Sequence, residues 1–314
     1  MPKLTALADE HSDETGRLIV FTDVVTGECT TRDVMQRLMS TDMPSVEWEN
    51  RPLLAAVLRK AGYKVGYFDN QSTASTCANV DYSSVFFFND TTVSSQCFDA
   101  RNLTREKYDG DFIAEYLPEA LALEEPAVVM FHLMGQHIKA DERYDADEAF
   151  FTLDDYEAAD TLSVAERTDI MHYDNATVHL DMCLSDIISA VHGRNAIVVY
   201  VSDHSEEIYD YRRQYGRTQE PMTPMRARAL YEVPMYVYMT PEAIESRPDI
   251  LATLQSHASA RMHTFRIPDL VLDLANVRGA VSDRRNSIAA DNYDSIAPRL
   301  LFHGEYDYDK ICNN

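Results

Sequence analysis

Positive charge is scarce in this 314-residue chain: 28 Lys and Arg stand against 52 Asp and Glu, for a formal net charge of −24. So acidic a surface repels phosphate backbones and anionic membrane faces, which excludes nucleic acid as a partner and requires any membrane substrate to be met locally. Long apolar runs are missing too. No window approaches the roughly twenty apolar residues of a membrane span, and the opening MPKLTALADEH lacks the apolar core of a signal peptide. The segment therefore reads as a soluble piece. The 5 cysteines, Cys29, Cys77, Cys97, Cys183 and Cys312, include no C-x-x-C pair, which argues against a structural zinc knuckle. Cys77 and Cys97 flank a Ser/Thr/Asn-rich stretch and can either be bridged in an oxidising compartment or stay separate thiols. No Pro/Gly/Ser-rich linker interrupts the chain, so one α/β domain over residues 1–314 is expected.

What is present is a set of buried-strand signals that end in reactive side chains. Ala196 to Val201, AIVVYV, is unbroken and apolar, the pattern of a mid-sheet strand covered on both faces. It stops at Ser202 and delivers Asp203 and His204, followed by Glu206, Glu207 and Asp210. Ala127 to Phe131, AVVMF, repeats the pattern and delivers His132 and His137 around Gly135, a residue able to turn both imidazoles toward one cavity. Ligands of open α/β sheets gather beyond the carboxyl ends of such strands. The residue types fit that place, since an adjacent carboxylate and imidazole offer the oxygen and nitrogen donors that zinc accepts. Ordinary turn chemistry explains an isolated Asp-His pair equally well.

Nearer the start, LIVFTDVV (Leu18 to Val25) reads as a strand broken by Thr26-Gly27-Glu28-Cys29. Thr30 and Thr31 precede a helix marked by Val34, Met35, Leu38 and Met39. A threonine there caps the helix, and the same free N–H groups and dipole end favour a phosphoryl group on its hydroxyl. Arg51 to Ala61, Phe112 to Leu123 and Leu162 to Val191 have helical spacing, while KVGYFD and Val233 to Met239 read as strands. Asp69-Asn70-Gln71 forms a turn or touches substrate. Residues 72–107, around Val85 to Phe88, read as an excursion over the active-site face. Asp141 to Asp160 reads as a solvated acidic loop, and Asp174 and Asn175 as hydrogen-bonding support. Five arginines between Arg212 and Arg228 are either a balanced surface patch or an anion clamp. His263, before the last long helix, is a weaker site candidate.

VSDHSEE resembles the SDHGE signature of the alkaline-phosphatase/sulfatase superfamily. FHLMGQH (Phe131 to His137) resembles the H-x-x-G-x-H segment of its phosphoethanolamine transferase branch, with Tyr173-Asp174-Asn175 between the two as in that branch. VVTGECTTRDVMQRLM lines up with the segment holding the nucleophilic Thr, best at Thr31 with Thr30 one residue away. The type that decorates the lipopolysaccharide core is the most similar. This resemblance implies an α/β fold with a mostly parallel central sheet and helices on both faces. It implies zinc held by Asp203, His204 and Thr31, catalysis by Thr31, His137 and His132, a phosphatidylethanolamine donor and a lipopolysaccharide or glycolipid acceptor. It also implies a site on the periplasmic face of the bacterial inner membrane, with membrane contact through a region upstream.

The sequence departs from the pattern at three points. Met1-Pro2-Lys3-Leu4 resembles the family's T-P-x-L segment, so the strand and Glu that complete the zinc site are expected before residue 1. Ser205 replaces the signature Gly, and Tyr211, Arg212, Arg213 and Gln214 stand where the family has a further His. Two other readings stay open: a sulfatase or phosphodiesterase that hands the group to water, and an inactive relative that only binds anionic glycolipid.

Overall fold

The computed structural model describes residues 1–9, 15–41, 50–71, 95–157, 161–210, 214–217 and 222–313. Cys77, Val85 to Phe88 and Tyr211 to Arg213 lie outside them. The chain opens with α1 (Pro2–Asp9), β1 (Arg17–Phe21), β2 (Val24–Val25), α2 (Thr31–Leu38), α3 (Leu54–Lys60), β3 (Lys64–Asp69) and β4 (Ala100–Arg101). It continues with α4 (Asp109–Leu121), β5 (Ala127–His132), α5 (Val164–Ala190), β6 (Ile197–Val201), α6 (Pro224–Tyr231) and β7 (Met235–Met239). It ends with α7 (Pro241–Ser246), α8 (Pro248–Ser256), β8 (Met262–His263), α9 (Ile267–Leu274), β9 (Leu300–Leu301), β10 (Tyr306–Asp307) and α10 (Tyr308–Cys312). This is the α/β architecture that the alternating apolar runs predict.

The main strands form two half-sheets, ordered β4-β3-β5 and β1-β7-β6. The first is parallel, with Gly66 opposite Val129 and Asp69 opposite His132. In the second, β7 runs antiparallel to both neighbours, pairing Val237 with Ile19 and with Val199. β1 and β6 therefore share one direction.

Helices cover both faces because alternate strand residues are apolar on both sides. Ile197, Val199 and Val201 pack into a cluster with Ile250, Leu254 and Leu270 of α8 and α9. Val198 and Tyr200 turn the other way, onto Leu4 of α1 and Leu180, Leu184 and Ile188 of α5. In the other half-sheet Val128 and Met130 meet Met35, Leu54 and Leu58, while Val129 and Phe131 meet Phe112 and Tyr116. α1 is pinned where it starts: the buried Asp181 carboxylate of α5 accepts from Lys3 N at 2.7 Å and Leu4 N at 2.9 Å.

One expectation is corrected here. β6, read from its composition as a mid-sheet strand, is an edge, and so is β5: among the described residues each is paired on one side only. Both are part-exposed along their whole length, whereas β3 and β7 are almost entirely buried. Composition reports what the faces touch, and both faces are indeed covered by helices. It carries no information about whether the hydrogen-bonding side is occupied. The strand predicted over Leu18 to Val25 likewise divides at Thr22-Asp23 into β1 and β2, and β2 pairs in parallel with β8 instead.

Candidate active site

The site is built at the carboxyl ends of β5 and β6 and the start of α2. Gly27 lets the loop before α2 approach the 3-10 turn that precedes α9: a Cβ there would lie 2.4 Å from the Phe265 ring. Thr30 is the N-cap of α2. Its Oγ1 accepts from Asp33 N at 3.5 Å and donates to Asp33 Oδ2 at 2.6 Å. Thr31, the first helical residue, turns elsewhere, with Oγ1 3.2 Å from His204 Nε2. The two adjacent threonines, ambiguous in sequence, thus have separate surroundings.

His204 Nδ1 lies 3.1 Å from the Ser205 carbonyl, which can only accept, so Nδ1 carries the proton and Nε2 presents a lone pair to Thr31. Asp203 Oδ2 is 3.4 Å from the same Nε2, sealed from solvent and without a hydrogen bond. Burial alone would raise the Asp203 carboxyl pKa. His204, His132 and the Thr31 hydroxyl outweigh that and hold it below the ordinary range. A sealed carboxylate oxygen, an imidazole lone pair and a hydroxyl facing one another are a donor set for a cation, and the mix of oxygen and nitrogen suits zinc.

The two other histidines meet the same region differently. His132 Nδ1 lies 3.2 Å from Asp69 Oδ1, its partner across the β3-β5 ladder, and its buried Nε2 has no partner. Desolvation pulls the His132 pKa down, but Asp69 and then Asp203 overcome it, leaving it raised. His137 follows the Gly135 turn, which has φ +54°. Its pKa is lowered by burial first, then by Arg143, Arg217 and His204, and its buried Nδ1 is unpartnered.

Several contributors went unrecognised in the sequence. Buried Asp109, at the first turn of α4, accepts from Met134 N at 3.0 Å, Gly135 N at 2.8 Å and Asn70 Nδ2 at 2.8 Å. It thereby shapes the loop between the two histidines. Arg217 returns to the site because residues 214–216 lie back against residues 207–209, with Tyr209 N bonded to Gln214 O and Gly216 N to Glu207 O. Its Nη1 donates to the Cys29 carbonyl at 2.6 Å and lies 3.0 Å from His204 Nε2, and its Nε lies 3.3 Å from Glu206. Glu28, Asp33 and His303 form a second group whose ligand atoms lie within 4.8 Å of one another.

Other candidates prove structural. Asn175 accepts from Phe150 N and Phe151 N, both at 2.8 Å, and Asp174 accepts from Tyr156 at 2.5 Å. Both therefore anchor the acidic loop, which is organised as short 3-10 turns. His263 is buried beside Phe265, with Nε2 2.9 Å from the Leu300 carbonyl. Cys97 is a buried free thiol. No helix among the described residues is long and apolar enough to cross a membrane.

Comparison with known proteins gives the family and the fold. Phosphoethanolamine transferase EptC of Escherichia coli O18:K1:H7 is 27% identical over 246 residues, 76% of this chain and 40% of that protein. Phosphoethanolamine transferase CptA of Salmonella typhimurium is 28% identical over 246 residues, with the same 76% and 40% coverage. The chain thus spans about 40% of the length of these curated relatives. In fold it superposes on the zinc complex of the C-terminal periplasmic domain of Escherichia coli EptC with a TM-score of 0.81 and 23% identity, over 99% of this chain and 86% of that one. The soluble domain of lipooligosaccharide phosphoethanolamine transferase A from Neisseria meningitidis gives a TM-score of 0.67 at 19% identity, covering 92% and 85%. Residues 1–277 match the family model described as sulfatase. With a strand-end Asp-His pair facing the first threonine of α2, and that match over most of its length, the chain belongs to the sulfatase family.

Proposed function

We propose that residues 1–314 act as one catalytic unit that transfers phosphoethanolamine from phosphatidylethanolamine to a hydroxyl of lipopolysaccharide or a related surface glycolipid, at the periplasmic face of the inner membrane. The observation that carries this reading is the 3.2 Å approach of the Thr31 hydroxyl to His204 Nε2 beside Asp203. Relatives named phosphoethanolamine transferases support the choice of group.

Asp203, His204 and Thr31 would hold zinc, which when bound lowers the pKa of a hydroxyl and neutralises charge on phosphoryl oxygens. Thr31 gives its hydroxyl proton to solvent and Oγ1 attacks phosphorus; the Oγ1–P bond forms as the bond from phosphorus to the diacylglycerol oxygen breaks. The N–H groups at the start of α2 face the anionic group. The leaving oxygen takes a proton. His132, with a raised pKa and Asp69 behind it, is better suited to supply it than His137, whose lowered pKa favours the neutral ring. An acceptor hydroxyl then attacks the same phosphorus and returns a proton to His132, and the bond to Thr31 breaks as its oxygen takes a proton from solvent.

Incubation of zinc-loaded protein with phosphatidylethanolamine, followed by peptide mass analysis, tests the reading. One phosphoethanolamine on the Thr31 peptide, discharged by glycolipid faster than by water, is expected. An adduct on Thr30, or none, overturns it, and equal discharge by water favours the hydrolase.

A further inference from the structure

His204 Nε2 has one lone pair and two suitors on the page: the Thr31 hydroxyl at 3.2 Å and the Arg217 guanidinium at 3.0 Å. The Nδ1 proton directed at the Ser205 carbonyl leaves that lone pair nowhere else to be. A single lone pair cannot serve both a guanidinium N–H and a metal. Whatever cation the Asp203-His204-Thr31 set accepts must therefore take the place of the Arg217 N–H on Nε2.

Arg217 has somewhere to go. Its Nε remains tied to Glu206, a carboxylate whose side chain is only 9% exposed, which makes that pair a pivot. Its Nη2 is uncommitted among the described residues. The side chain is itself 24% exposed, so the fork can swing on Glu206 without unpacking the core, Nη1 giving up the Cys29 carbonyl together with His204. A planar guanidinium released beside the Thr31 hydroxyl has the geometry to grip two oxygens of a phosphoryl group.

We infer that Arg217 is the site's alternating counter-charge: it occupies His204 Nε2 while no metal is bound, and once the metal takes that nitrogen it turns, on Glu206, to bind the oxygens of the phosphoryl group. This rests on the phosphotransfer reading above and assigns to one residue the anion recognition that reading requires. It accounts for an arginine pressed against a histidine that is otherwise free to bind a cation.

The test compares wild type with Arg217→Gln and Arg217→Lys, with thermal melts as a folding control. Zinc affinity is read by competition with a chromophoric chelator, and inorganic phosphate binding by calorimetry with and without zinc. Arg217→Gln should bind zinc about tenfold more tightly, having lost a like charge and a competitor. It should bind phosphate in the presence of zinc about tenfold or more weakly, the scale of one charge-assisted hydrogen bond. Arg217→Lys should fall between on both. Without zinc, phosphate affinity should be the same in all three. Unchanged or weaker zinc binding in Arg217→Gln, or undiminished phosphate binding, overturns the proposal. Either result in a protein that still forms the Thr31 adduct would sink the role of Arg217 and leave phosphotransfer standing.

Discussion

Thr31 and His204, 173 positions apart in sequence, meet at 3.2 Å between hydroxyl and imidazole, while Thr30, one residue away, bonds within its own helix turn. One backbone step separates a chemical role from a structural one.

Substitutions should divide the two threonines cleanly. Thr31→Ala is expected to abolish the phosphoethanolamine adduct without lowering the melting temperature. Thr30→Ala should keep the adduct and cost about 1 kcal/mol of stability, the usual value of a lost N-cap. Denaturant titration with peptide mass analysis reads both.

Metal retention should depend on the strand-end pair. Asp203→Asn keeps the shape but removes the charge of the sealed Oδ2. Dialysed against a zinc buffer, it should retain less than a tenth of the wild-type zinc, on the scale of about 1.4 kcal/mol per factor of ten. Full zinc content in this variant would show that the metal sits elsewhere, with Glu28, Asp33 and His303 as the next candidates.

The Asp69-His132 contact should be visible in titration. Desolvation opposes the protonated ring and Asp69 overcomes it, so Asp69→Asn should move the His132 midpoint downward in a histidine NMR titration. An unmoved midpoint would show that Asp69 does not hold the proton.

Stability should fall in acid through a residue away from the chemistry. Burial depresses the His263 pKa to about 4, from an ordinary value of 6.5. Nδ1 accepts from Phe265 N at 3.2 Å, so protonation breaks a bond as well as burying a charge. The unfolded chain takes up this proton below pH 6.5 and the folded chain only below about 4. Stability from this group is therefore complete above 6.5 and lost as pH falls from there toward 4, by on the order of 3 kcal/mol. Urea unfolding at pH 6.5 and 4.5, for wild type and for His263→Phe, isolates the contribution.

Much of the site can be read from the sequence, because strands covered by helices on both faces announce themselves by composition and their carboxyl ends are where a sheet binds ligands. That logic locates His132, Asp203 and His204 before any coordinates. It fails where partners are set by tertiary contact. Asp109 is an ordinary acidic residue at a helix start until the 132–137 loop is folded over it. Arg217 is one arginine among five until residues 214–216 pair with residues 207–209. Asp69 is a turn residue until β3 pairs with β5 in a register that sets it against His132.

The open sides of β5 and β6 have a bearing on handling the protein. Two apolar ribbons that find no partner on one side among the described residues are templates for unwanted strand addition between molecules. What opposes such sticking is mutual repulsion between bodies that each carry a formal charge of −24. Concentrated salt shortens the reach of that repulsion to a few ångströms. A purification that relies on high-salt steps would strip this colloidal protection and favour fibrous or amorphous precipitate, whereas dilute buffer near neutral pH preserves it.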